Sequence, residues 1–431
     1  MSFTPSRHKR GLTLLAAFLG WLFDGLEMGI FPLVAGPALT EMAHRANVDA
    51  SLIPSYVSSW TGVVMAWFLL GAAAGGLAFG WLGDRIGRVR AMAWSILFYS
   101  GFTGLCFFAR NPGEFAALRF LAALGMGGEW ALGVALVMES WPENRRPLLA
   151  GAIGAASNIG FAAIALVAMR WKVTIDSWRW VMLVGAAPAA LTYLIRLFVP
   201  ESEKWQESVK TRVQPPLREI FAPALRKRTL LAIGFASIAL IATWGIVQWI
   251  PLWVEKMGQL NRDYDPMRKA IVQVCSAVGA TLGSFIAPVV GGYIGRRITY
   301  FLLCIAALGS CLWLFLGLGQ YGSMFLFVTG LVGMFTAAFY GWLPLYLPEL
   351  FPTRVRATGQ GLAYNAGRVL AALGAWQMPA LMSLFGNSAS APQVEVVRSY
   401  PLAGSTLACV YLVGMILIWF APETKGRPLP E

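Results

Sequence analysis

GLTLLAAFLGWLFDGLEMGIFPLV, residues 11–34, is an almost unbroken apolar run interrupted by two acids, Asp24 and Glu27. A helix of about 20 such residues crosses a bilayer core about 30 Å thick. An ionised carboxylate inside that core costs on the order of several kcal/mol, so an acid placed there usually takes up and releases a proton or meets a buried cation. Spacing of three puts both acids on one helical face. The alternative, a helix packed inside a water-soluble domain, is disfavoured by the rest of the chain.

With 57% hydrophobic and only 13% charged residues among 431, the chain has too little polar material to cover a soluble surface. It reads as an all-α membrane protein. Apolar runs begin near Leu12, Val57, Val89, Phe115, Leu148, Trp178, Thr229, Ala270, Ile298, Ser323, Thr358 and Pro401, which predicts twelve transmembrane helices. Basic residues concentrate in one set of alternate connections: Arg7, Lys9 and Arg10; Arg85, Arg88 and Arg90; Arg145 and Arg146; Lys204 to Arg228; Arg296 and Arg297; Arg354 and Arg356; Lys425 and Arg427. The opposite set holds about half as many, so both termini are expected in the cytoplasm and the protein in the plasma (inner) membrane. The net charge of +13 then needs no nucleic acid to explain it, and membrane lipids with anionic headgroups are the expected partner of the basic face. The basic start followed by an apolar run continues through Asp24 and Glu27 without a small-residue cleavage site, so it reads as a first span rather than a secretory signal. Cys106, Cys275, Cys304, Cys311 and Cys409 lie in or beside apolar runs without metal-type spacing and read as small buried hydrophobes.

The longest polar stretch contains Pro215 and Pro216 and divides the chain into residues 1–200, a cytoplasmic linker at 201–228, and residues 229–431, each half with six spans. Internal echoes support the division. GDRIGR at Gly83–Arg88 returns as GGYIGR at Gly291–Arg296, Pro142 and Glu143 are echoed by PELFPTRVR from Pro348, and PES at Pro200 by PET at Pro422. Repeats this far apart suit a duplicated transporter half with pseudo-symmetry rather than a solenoid.

With those motifs the chain resembles the major facilitator superfamily over its whole length. GWLGDRIGRVR carries the superfamily's loop signature, with Asp84, Arg85, Gly87 and Arg88 in place, whereas the second copy has Gly292 and Tyr293 where the acid and the first Arg would be. RFLAALGMGGEWALGVALVMESWPENRR, PESEKW, PELFPTRVRATG and PETKG also fit. GWLFDGLEMGIFPLV, GMGGEW with ESWP, and YNAGR look most like the metabolite:proton symporter branch that includes sialic acid and monocarboxylate carriers; PETKG is also typical of sugar porters. The resemblance implies interdomain ion pairs at the cytoplasmic helix ends, closing an inner gate from Asp84, Arg85, Arg88, Glu139, Glu143, Arg145, Glu201, Glu349, Arg354 and Glu423. Solvated end charges are the plain alternative.

At 1.5 Å per residue, charges on different spans can be compared in depth. Asp24 lies about 20 Å from the cytoplasmic side, and Arg119, entering from the other side, about 8 Å deep, so the two are near one level. Asp24 is the expected proton carrier and Arg119 its modulator, a pairing that resemblance to proton-coupled sugar porters also implies; a permanent helix-holding salt bridge is the alternative. Glu27 is expected nearer the outside, as a second proton site, an outer gate or a boundary acid in contact with water. Glu129, about 23 Å down the fourth span after Gly125, Gly127 and Gly128, is a candidate relay or a carboxylate bonded to a neighbouring helix. Arg368 lies near the midplane, about 15 Å into the eleventh span, where it can grip a carboxylate in two-pronged fashion. Tyr364, Asn365 and Asn158 fall at similar depth, and Trp130, Trp244, Trp249, Tyr340, Trp342 and Trp376 are available to line a cavity or simply to pack.

These residues predict proton-coupled symport of a small carboxylated metabolite by alternating access, in a monomer that needs no cofactor or metal beyond a proton gradient. A neutral-sugar porter is the second reading; it gains from PETKG and loses from Arg368. An enzyme is disfavoured because His8 and His44 lie outside the spans and no HExxH, GxSxG or GxxxxGK[ST] string occurs.

Overall fold

A computed structural model describes residues 7–141, 146–188, 190, 217–352, 355–386, 392–427 and 430, and among them every regular element is helical. The first half holds α1 (Arg7–Arg45), α2 (Ile53–Ile86), α3 (Arg88–Leu105), α4 (Pro112–Ser140), α5 (Arg146–Arg170) and α6 (Trp178–Val184). The second holds α7 (Pro223–Gly245), α8 (Ile250–Leu260), α9 (Met267–Ile294), α10 (Arg296–Gly317), α11 (Ser323–Leu350), α12 (Arg356–Phe385), α13 (Pro392–Ala408) and α14 (Val410–Leu417). Nine helical segments among the described residues are long and apolar enough to cross a membrane, with α7 and α8 counted as one and α13 and α14 as one. Helices α4 and α12 also have spanning length, at 29 and 30 residues. Part of the sixth span and most of the 201–228 linker lie outside the described residues. α7 starts at Pro223 rather than at Thr229, because a proline in the first turn has no N–H to leave unpaired.

Local chemistry explains where helices start. Asn111 accepts a hydrogen bond from the Glu114 N–H at 2.9 Å, Pro112 follows it, and the Glu114 carboxylate accepts from the Arg110 N–H at 2.8 Å, so α4 begins with its free donors satisfied. The GDRIGR and GGYIGR echoes become the same turn in both halves. Gly87 between α2 and α3 has φ 108°, and Gly295 between α9 and α10 has φ 99°, values at which a side chain would be strained.

In a membrane, helices gain little from burying apolar surface against each other, so small residues that let backbones approach do much of the joining. In the first half Gly75 faces the Leu124 carbonyl and Gly127 the Ala72 carbonyl; in the second, Gly283 faces the Met334 carbonyl and Gly333 the Ser276 carbonyl. A Cβ at any of these would overlap the facing backbone. The same rule joins α1 to α5 through Gly25 and Gly160. The principal pairs are thus α2 with α4 and, correspondingly, α9 with α11. The halves meet along α5–α9 and α2–α12, two seams that flank a central space. Below, the end of the bundle where α1 starts is the near end and the end where α1 stops is the far end.

Candidate functional site

The central space is a cavity with about 1220 Å³ between its atoms, mouth included, lined by both halves. Asp24 and Trp21 of α1, Asn158 and Phe161 of α5, Thr243, Trp244 and Gln248 of the α7–α8 segment, Tyr340 of α11, and Tyr364 and Arg368 of α12 face it.

Asp24 is 1% exposed, and neither of its oxygens meets a donor among the described residues. Glu129 lies against it from α4, buried over Gly20, where only the missing side chain leaves room for its carboxyl. The two carboxyl groups are within hydrogen-bonding reach, yet the Glu129 oxygens also lack any donor. Two carboxylates are acceptors only, so a bond between them exists only when a proton sits there. Buried polar groups are almost always paired, which makes this donorless pair the most conspicuous polar feature of the bundle.

Arg119 does not pair with Asp24. Its Nη1 donates to Glu27 Oε1, which also accepts from Thr103 Oγ1 at 2.9 Å, and its guanidinium lies between the rings of Phe31 and Phe68 at 5.6 and 4.6 Å. Glu27 is farther along α1 by about 4.5 Å, nearly one turn, and the axial estimate of depth does not resolve that step. Glu27 is accordingly 0% exposed, not an acid at a wet boundary. The Arg119–Glu27 pair sits inside the first half, whereas Asp24 faces the cavity.

Arg368 behaves differently. Its Nη1 donates to the Ala72 and Gly127 carbonyls of α2 and α4 at 3.1 and 3.3 Å and to Asn365 Oδ1 at 3.2 Å. Its guanidinium lies 4.9 Å over the Tyr364 ring. All three oxygens are neutral, and the acid whose charge it feels is Asp24. Asn158 Nδ2 bridges the halves to Ser284 Oγ at 3.1 Å, and Tyr340 lies beside Thr243. The side chain of Trp130 is outside the described residues.

Of the residues expected at the inner gate, Glu349 and Glu423 are the two described, and both are used within the second half. Arg296 grips Glu349 with two nitrogens at 3.0 and 2.7 Å, and Thr424 Oγ1 donates to the same carboxylate. Glu423 accepts from the N–H groups of Arg296, Arg297, Thr424 and Lys425 at 3.0–3.1 Å, capping α10. Partial burial opposes its charge, but those four backbone donors outweigh it and hold the carboxyl below its ordinary range. Among the described residues these two acids therefore brace one half. The side chains of Asp84, Arg85, Arg88 and Glu139, and residues Glu143, Arg145, Glu201 and Arg354, lie outside the described residues.

Two features escape a reading of charge alone. At the far end, Lys269 of α9 donates to the Leu33 carbonyl of α1 at 3.2 Å and lies 3.4 Å from Glu255 of α8, whose carboxylate fills the space over Gly36. Gln273 Nε2, one turn on, donates to the Gly29 and Phe161 carbonyls at 3.0 and 3.1 Å. The second half thus clasps the first at that end through buried side chains, with Glu255 and Lys269 at 5% and 1% exposure. The second feature is a break. Between α7 and α8 the chain turns through Ile246, whose carbonyl accepts from Tyr400 Oη at 2.7 Å, and a single tight turn at Val247–Trp249 carries Gln248 to the cavity wall.

The Major Facilitator Superfamily model matches residues 13–375. A protein of Haemophilus influenzae named for metabolite transport is 28% identical, aligned over 96% of this chain and 97% of its own. The cis,cis-muconate transport protein of Acinetobacter baylyi is 28% identical over 98% of this chain and 96% of its own. Among solved structures, that of a D-xylose-proton symporter superposes with a TM-score of 0.72 at 19% identity, covering 97% of this chain and 99% of its own. That likeness carries the fold alone.

Proposed function

Because the chain belongs to the Major Facilitator Superfamily, we propose that it carries a small carboxylated metabolite across the membrane together with a proton, by opening the cavity between its halves to one side and then the other. The observation that carries this reading is that Arg368 and the donorless Asp24 face one cavity, with the equally donorless Glu129 packed over Gly20, one turn from Asp24. A guanidinium held only by neutral oxygens retains its full charge for an anion, and its planar fork matches a carboxylate. A charged Asp24 competes with the substrate for that guanidinium; a proton on the pair removes the competitor. Proton and anion therefore favour one another's binding, which is the thermodynamic requirement of symport. In this reading the near end, with its excess of Arg and Lys, faces the cytoplasm. The name of the A. baylyi relative, a transporter of a carboxylate, supports the substrate class.

Uptake into proteoliposomes tests the reading, with a panel of aromatic, unsaturated and sugar acids and neutral sugars, with and without an inward proton gradient. Accumulation of an acid that follows the gradient is the expected result. Gradient-driven accumulation of a neutral sugar in preference to every acid would replace it with the sugar-porter reading.

A further inference from the structure

Gln248 is 5% exposed and lines the cavity, yet its Oε1 has no hydrogen-bond partner among the described residues. A buried amide oxygen left without a donor is costly, and such groups in native proteins mark a place where something else binds. Several other neutral polar groups on the wall are already engaged. Thr243 Oγ1 donates to the Ala239 carbonyl at 3.0 Å, Thr336 Oγ1 to the Val332 carbonyl at 2.7 Å, and Asn158 Nδ2 to Ser284 and Gly154. Gln248 is held stiffly, since the break that presents it is pinned by the Tyr400 hydroxyl on the Ile246 carbonyl.

Its position along the axis is informative. Gly367, beside Arg368 in α12, packs against Ala236, Ser237 and Leu240 of α7, which sets the level of Arg368. Gln248 follows Leu240 by eight residues toward the far end, a displacement of roughly 12 Å along the axis. That is about the span of a single ring with substituents at opposite ends and a hydrogen bond at each, and the cavity wall is rich in aromatic side chains, among them Trp21, Phe161, Trp244 and Tyr364.

We propose that Gln248 is a specificity residue: the carried acid bears, on the side opposite its carboxylate, a hydroxyl or N–H that donates to Gln248 Oε1. This rests on the carboxylate reading above and narrows it to a ring-sized acid with a hydrogen-bond donor at its far end.

Equilibrium binding of benzoate, 4-hydroxybenzoate and 4-fluorobenzoate to the purified carrier and to Gln248→Met tests it. In the unaltered protein, 4-hydroxybenzoate should bind roughly tenfold more tightly than the other two, since only it satisfies the buried oxygen. In Gln248→Met that preference should fall to within about twofold while benzoate still binds, which also reports that the variant is folded. Equal affinity for the hydroxy and fluoro acids in the unaltered protein overturns the proposal without any variant, as does an undiminished preference in Gln248→Met. Absence of binding by all three acids overturns it too. Benzamide separates the two levels of inference: if it binds as well as benzoate, the carboxylate reading fails whatever Gln248 does.

Discussion

Replacing Arg368 by lysine and by alanine separates a substrate-gripping guanidinium from a structural one, and the expected size follows from what the side chain touches. One of its nitrogens is held by the Ala72 and Gly127 carbonyls and by Asn365, and the plane rests on Tyr364. A bound carboxylate adds a charged hydrogen bond worth about 1.5–3 kcal/mol, or roughly ten- to hundredfold in Kd. Arg368→Lys keeps the charge but loses the fork, so it should lose a large part of that for an acid. Arg368→Ala also removes the contact with the ring, worth about 0.5–2 kcal/mol, and should weaken the acid further. Either change also loosens α12 from α2 and α4, which would weaken all ligands alike. The discriminating quantity is therefore the loss for an acid relative to the loss for its amide. Trp21 and Trp244 face the cavity, so quenching of their fluorescence gives a direct titration. Equal losses for acid and amide in both variants would make Arg368 a brace between the halves and refute its role as the carboxylate site.

Asp24→Asn should abolish accumulation against a gradient while leaving substrate exchange across the membrane measurable, and Glu129→Gln should do the same if the pair works as a unit; a mutant that still concentrates substrate in response to a pH gradient contradicts this. Lys269→Met removes the bond to the Leu33 carbonyl and leaves Glu255 buried without its cation, so spin labels at the far ends of α1 and α8 should report a larger open population, by roughly ten- to hundredfold; unchanged distance distributions would remove the clasp from the account. Glu423 is held below its ordinary 4.5 in the folded chain, so its stabilisation is complete above that value and fades as the pH falls through the folded value. Glu423→Gln should therefore melt below the parent at neutral pH, with the gap closing in acid; a gap that widens in acid reverses the sign. Gly160→Val should prevent stable assembly of α1 on α5, because its Cβ would overlap the Leu22 carbonyl, and loss of monodisperse protein on size exclusion is the readout.

How much was legible in the sequence depends on which physical signal carried each residue. Helices, halves and the two glycine turns follow from apolar runs and from the GDRIGR and GGYIGR echoes, since hydrophobic length and positive φ both have strong residue preferences. Asp24, Glu129 and Arg368 stand out as charges inside apolar runs, and the structure brings Asp24 and Arg368 to one cavity with Glu129 packed behind Asp24 over Gly20. The partner of Arg119 was misassigned because depth fixes the level of a residue but not its azimuth, and Asp24 and Glu27 differ by less than a turn. The resemblance implies Glu349 and Glu423 as bridging charges, whereas among the described residues PELF and PET close on Arg296 of their own half. Gln248 and Gln273 were invisible because a neutral amide in an apolar run has no charge to flag it. Lys256 and Lys269 are buried at 4% and 1% exposure; they lie beyond apolar runs in sequence but beneath the joined far ends in space.

Lys269, Gln273 and Arg368 share a habit: each reaches across to the opposite half and ends on a main-chain oxygen. Such acceptors do not depend on which side chains the first half carries, so that half is free to drift at these positions, provided glycine stays where the bodies touch. Helix carbonyls also recur every 1.5 Å along the axis. On the one face that meets the other half they return about once per turn, so a donor leaving one reaches the next equivalent oxygen after a slide of roughly 5 Å. A carrier assembled from the first half of a relative and the second half of this chain should, on that ground, keep its cross-half grip.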